Sequence, residues 1–60
     1  MSARFRPGER VAYITQHDAY LGVITEVMFY IDTYLYACEW ADGYEDGPRM
    51  YPESNFRRVH

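Results

Sequence analysis

Tyr34-Leu35-Tyr36-Ala37-Cys38-Glu39-Trp40-Ala41-Asp42-Gly43 is the stretch that decides the fold. Tyr34, Tyr36, Cys38 and Trp40 recur at every second position, so an extended chain places them on one face and Leu35, Ala37 and Glu39 on the other. The Asp-Gly pair that follows accepts positive φ, which predicts a strand over 34–40 running into a tight turn. On the N-terminal side, residues 20–28 are rich in β-branched side chains and read as a strand, with Gly22 marking a bend or a close approach. Residues 29–33 are ambiguous, and Asp32 suggests a turn. Residues 9–14 follow the Pro7-Gly8 turn signal and form a first strand with Val11 and Tyr13 on one face. On the C-terminal side come a bend at Asp46-Gly47-Pro48, a short strand over 49–51, one 3₁₀ turn over 52–55 and a closing strand over 56–59. A helical template also fits Tyr20, Ile24, Val27, Ile31, Tyr34, Leu35 and Cys38. Gly22 lies inside that helix, however, and most residues from 23 to 36 are β-branched or aromatic, which favours strands. The expectation is an all-β, five-stranded small barrel over residues 8–60, preceded by a polar arm over 1–7. Its expected core is Val11, Ile24, Val27, Tyr36, Cys38, Trp40, Phe56 and Val59.

Sixty residues allow one domain of marginal stability. A single cysteine, Cys38, excludes an intrachain disulfide, and two distant histidines exclude a closed zinc site built from one chain. The remaining ways to stabilise the chain are an aromatic core (seven Tyr, three Phe and one Trp) and self-association. No apolar run approaches the roughly 20 residues that span a bilayer, and Met1–Arg10 lacks the apolar segment of a secretory signal. With a single cysteine, this predicts a cytoplasmic protein without membrane contact. Charge is unevenly distributed. Arg4, Arg6 and Arg10 face Glu9 in the first ten residues; residues 11–56 carry eight acids against Arg49 alone; Arg57 and Arg58 follow. An acidic body repels a phosphate backbone, so nucleic acid is disfavoured as a partner.

The order of signals resembles SH3-like barrels. Among these, Phe5-Arg6-Pro7-Gly8-Glu9-Arg10-Val11, Tyr36-Ala37-Cys38-Glu39, Met50-Tyr51-Pro52 and Phe56-Arg57-Arg58-Val59 resemble the motifs of the plasmid-borne type II dihydrofolate reductases over nearly the whole chain. That resemblance implies the barrel and a homotetramer whose central pore holds NADPH and dihydrofolate. The pore-lining segment of the family falls on Pro48-Arg49-Met50-Tyr51, and a pore lysine falls on or near Tyr13. Only the tyrosine of that segment, Tyr51, is retained. Arg49 replaces a glutamine, exchanging a donor and acceptor for donors alone.

The candidate chemistry is correspondingly thin. Trp40, Tyr36 and Tyr34 suit an aromatic cage for a cation, although strand spacing assigns them first to the barrel wall. Cys38 reads as a buried structural thiol. Asp42, Glu45 and Asp46 read as a solvated acidic hairpin without metal-loop spacing. His17-Asp18 has the order of a base and its orienter but no nucleophile nearby. Arg49 next to Tyr51 suits a phosphate, a carboxylate or a partner's acid, or an ion pair with Glu45 or Asp46. No catalytic residue, metal ligand or cofactor is assigned, NADPH entering only with the reductase resemblance. A ligand pocket of some 300 Å³ or more is expected to need several chains. Binding is expected at Arg49, Met50, Tyr51 and Tyr13, with Tyr20, Tyr30 and Tyr44 as interface residues. The expected function is a binding or assembly module that self-associates or docks on a partner protein.

Overall fold

The computed structural model describes residues 2–45, 47 and 49–59. The chain is all-β, with strands β1 (Arg10–Ile14), β2 (Ala19–Tyr30), β3 (Thr33–Trp40), β4 (Tyr51–Pro52) and β5 (Phe56–Arg58) and a 3₁₀ turn at Glu53–Asn55 before the last strand. The helical alternative over 19–40 is thereby excluded. All neighbouring strands pair antiparallel in one sheet ordered β4-β3-β2-β1-β5. Among the described residues no ladder joins β4 to β5, so the expected barrel is an open sheet by its hydrogen bonds.

Side-chain contacts nevertheless roll that sheet tightly. In a flat sheet β3 and β5 stand three strand spacings apart, about 14 Å. The Tyr36 and Phe56 rings instead meet at 5.7 Å, and Tyr13 of β1 meets Tyr51 of β4 at 4.9 Å. A bulge in β2 contributes. The β2–β3 register shifts between Ile24 and Glu26, which turns Val27 rather than Glu26 toward the core after Ile24. Without that shift the alternation begun at Gly22 and Ile24 would point Glu26 inward.

The core is Phe5, Val11, Ile24, Tyr36, Trp40 and Phe56, with Val27 and Cys38 half-buried against it. Val59, expected in the core, is only half-buried. Phe5 corrects the reading of residues 1–7 as a polar arm, being 1% exposed. Its ring meets Tyr36 at 5.4 Å and Phe56 at 6.1 Å, and the Arg4 and Arg58 guanidiniums lie over it. Arg58 also donates to the Arg4 carbonyl at 2.6 Å and pairs with Glu9. The two ends of the chain therefore meet. The Arg58 guanidinium holds the Glu9 carboxyl below its usual range.

The fourth strand lies at Tyr51–Pro52 rather than 49–51. Proline is tolerated there because β4 is an edge strand paired only through Leu35↔Pro52 and Tyr36↔Tyr51. The expected bend at Asp46-Gly47-Pro48 falls partly outside the described residues; Gly47 itself has φ 68°.

Candidate functional site

The site is assembled from strand register. Tyr13 and Tyr20 face each other directly across β1 and β2, and Gly22 lies opposite Trp40 across β2 and β3. Gly22 has no side chain to occupy the sheet surface. A Cβ there would stand 2.5 Å from the Cys38 sulfur and 2.9 Å from the Glu39 carbonyl oxygen. The missing side chain lets Trp40 lie across β2 toward Tyr20 and Tyr13.

Three tyrosines consequently stand nearly perpendicular to the indole. The centroid of Trp40 is 6.0 Å from that of Tyr13, 6.4 Å from Tyr20 and 5.6 Å from Tyr51, with interplanar angles of 76°, 75° and 79°. Edge-to-face rings of this kind satisfy the ring quadrupoles. Together with Tyr44 and Asp42 they bound a groove of about 570 Å³, walled elsewhere by Ala19, Leu21 and Ala41. The groove is formed by one chain and stays open to solvent at Leu21 and Tyr44.

Two turns hold the rim. Thr15 Oγ1 accepts from the Asp18 N–H at 3.0 Å, closing the β1–β2 turn, and the Asn55 amide donates to the Ile14 carbonyl at 3.0 Å. On the other side, Asp42 Oδ1 accepts from the Tyr44 N–H at 2.9 Å, which fixes the carboxylate at the groove mouth. The Asp18 carboxylate pushes the Tyr20 phenol above its ordinary value by its charge, with burial, its hydrogen bond and the charge of Asp42 adding to the effect. Both acids thus act on the hydroxyl at one wall.

Of the expected binding residues, Tyr13 and Tyr51 meet in this groove, whereas Arg49 and Met50 do not line it. Tyr20 and Tyr44, expected at an interface, also line it and are 44% and 62% exposed. Tyr30 lies elsewhere, at the β2–β3 hairpin. Of the residues considered for an aromatic cage, Trp40 is at the groove floor, Tyr36 is fully buried and Tyr34 packs against Phe29 at 5.0 Å. His17 is exposed in the β1–β2 turn, and Cys38 is a half-buried thiol. The sequence reading missed Leu21, Ala19 and the placement of Asp42. The four-residue separation between β1 and β2 was the available signal, since a short turn there pairs Tyr13 with Tyr20. Among the described residues no cluster of three or more His, Cys, Asp or Glu could hold a metal ion, and no helix is long and apolar enough to cross a membrane.

Comparison with protein-family models, with curated proteins and with solved structures found no match to this chain.

Proposed function

We propose that this chain is a small SH3-like binding and assembly module of the cytoplasm, docking on a partner protein through the groove around Trp40. The observation that carries this reading is the ring arrangement: four aromatics from four strands converge on one concave surface, and two further polar-edged walls, Tyr44 and Asp42, complete it. Tyrosine and tryptophan supply large contact area at little conformational cost, which is why they concentrate at interfaces. The strand order and the 3₁₀ turn before the last strand support the SH3-like reading. The half-buried thiol of Cys38 suits a reducing compartment. Assembly draws on a second surface, the exposed Met28, Phe29, Tyr30 and Ile31 at the β2–β3 hairpin.

Selection from a random peptide library tests the groove. The wild-type chain should enrich a common motif, and a Tyr20→Ala/Tyr44→Ala double variant should enrich none. Both side chains are exposed, so the variant should fold. Enrichment of the same motif by both proteins would place docking elsewhere.

A second reading is an oligomeric NADPH-dependent dihydrofolate reductase of the type II kind, or an anion-binding relative. It draws on the meeting of Tyr13 and Tyr51, which fall at or near pore positions in that resemblance. Hydride transfer demands both rings held at reacting distance, and Arg49 in place of glutamine does not supply the same hydrogen bonds. Dihydrofolate-dependent NADPH oxidation by wild type would promote this reading. Its absence in both wild type and Arg49→Gln would remove the enzyme.

A further inference from the structure

The walls of the groove differ in kind from those of an ordinary apolar cleft. Trp40 forms the floor with Tyr13, Tyr20 and Tyr51 set nearly at right angles to it. Ring faces carry negative potential and attract a cation within about 6 Å; Trp40 is only 8% exposed, so Tyr20 and Tyr44 present the accessible ring surface. The charge agrees. Asp42 is the charged residue among the described lining residues, and no Arg is among them. Asp18 reaches the same Tyr20 hydroxyl from the neighbouring turn.

The type of cation follows from the acceptors. A guanidinium brings five N–H donors and a protonated lysine three, and each one buried without a partner is costly. The side chains of the lining offer one carboxylate and the phenol oxygens, whereas those of Ala19, Leu21 and Ala41 are apolar. A fully methylated ammonium has no N–H to satisfy, and its methyl groups pack on such walls. The groove is also open. Leu21 and Tyr44 are 56% and 62% exposed, so it cannot enclose the 70–90% of surface that a free small ligand generally buries. Its open side suits the chain on either side of a side chain.

We propose that the groove receives a methylated ammonium group carried by a partner polypeptide, seated on the exposed Tyr20 and Tyr44 rings beside Trp40 with Asp42 as its counter-charge. This rests on the groove being the docking site. The test uses capped Ala-Xaa-Ala peptides in which Xaa is trimethyllysine, lysine, arginine or the neutral isostere with carbon in place of the ammonium nitrogen, with choline as a free ligand. Binding is read from the fluorescence and the indole N–H resonance of Trp40. The trimethyllysine peptide should bind at least roughly tenfold more tightly than its isostere, since the two differ only in charge. Asp42→Asn keeps an oxygen for the Tyr44 N–H and should weaken the charged peptide several-fold while leaving the isostere unchanged. Equal binding of the isostere would show an apolar groove and overturn the proposal. Tightest binding of the arginine or lysine peptide, or binding of choline as tight as the peptide, would overturn it too. Binding of none of these, with a library motif still lost in the Tyr20→Ala/Tyr44→Ala variant, would end the cation proposal and leave the docking reading standing. Loss of both results would end both.

Discussion

At the residue scale, Tyr36 is held from several sides. Its ring is fully buried, its hydroxyl donates to Glu53 Oε2 at 2.5 Å, and it accepts from the Phe5 N–H at 3.4 Å. Burial, then the Glu53 hydrogen bond, pushes the phenol from the ordinary value of 10.0 up to about 12. The fold therefore holds the neutral form. The stabilisation this represents is complete below the unfolded value and is lost as pH rises through the folded one. Base titration should show stability falling between about pH 10 and 12, and a Tyr36→Phe variant should lack that part of the fall. The same variant should lose about 1 kcal/mol at neutral pH in urea unfolding, because it leaves the Phe5 N–H and a Glu53 oxygen without this partner. Ile31 is constrained differently. It is a β-branched residue at φ 60° and 77% exposed. Ile31→Gly should raise stability by about 1 kcal/mol, by removing strain where little packing is lost. An unchanged or lower melting temperature would mean that the hairpin needs this side chain.

At the element scale, the β2–β3 pair organises the molecule. Gly22→Ala should destabilise by about 1–3 kcal/mol, since the new methyl meets backbone as well as the Cys38 sulfur, and it should alter Trp40 fluorescence by displacing the indole. Retained stability with unchanged emission would contradict the close approach. This pair was also the most legible part of the sequence. The alternation Tyr34, Tyr36, Cys38, Trp40 is local, and the Asp-Gly turn that follows is a backbone requirement. Other features depended on contacts made far along the chain. Phe5 sits between arginines and before a proline, so nothing local marks it as core; Tyr36, Phe56 and Arg58 bury it. The fourth strand is two residues at a sheet edge, a position where proline carries no penalty, so a proline-based boundary was one residue out. The groove was visible as an excess of tyrosine and in the short β1–β2 turn that pairs Tyr13 with Tyr20. Its members come from β1, β2, β3 and β4 and become neighbours only when register and the β2 bulge roll the sheet.

At the scale of the whole molecule, two surfaces compete for a functional role. The hairpin exposes Met28 (44%), Phe29 (58%), Tyr30 (55%) and Ile31 (77%) in sequence. An exposed apolar tip of this kind favours contact between two copies. Light scattering should therefore give a multiple of 7.2 kDa that dissociates in Phe29→Asp, and a wild-type monomer at micromolar concentration would contradict assembly. Trp40→Ala should cost roughly 3–5 kcal/mol, the range for a large buried aromatic, because the indole serves the core as well as the groove. For that reason its loss alone cannot test binding. Residue-by-residue mapping of amide and indole resonances, with a library-selected peptide titrated into the labelled chain, locates the docking site. The shifts should gather at Trp40 Nε1–H, Tyr20, Leu21, Asp42 and Tyr44. Shifts confined to Met28–Ile31, with the Trp40 indole unmoved, would contradict the assignment of the aromatic groove as the docking site.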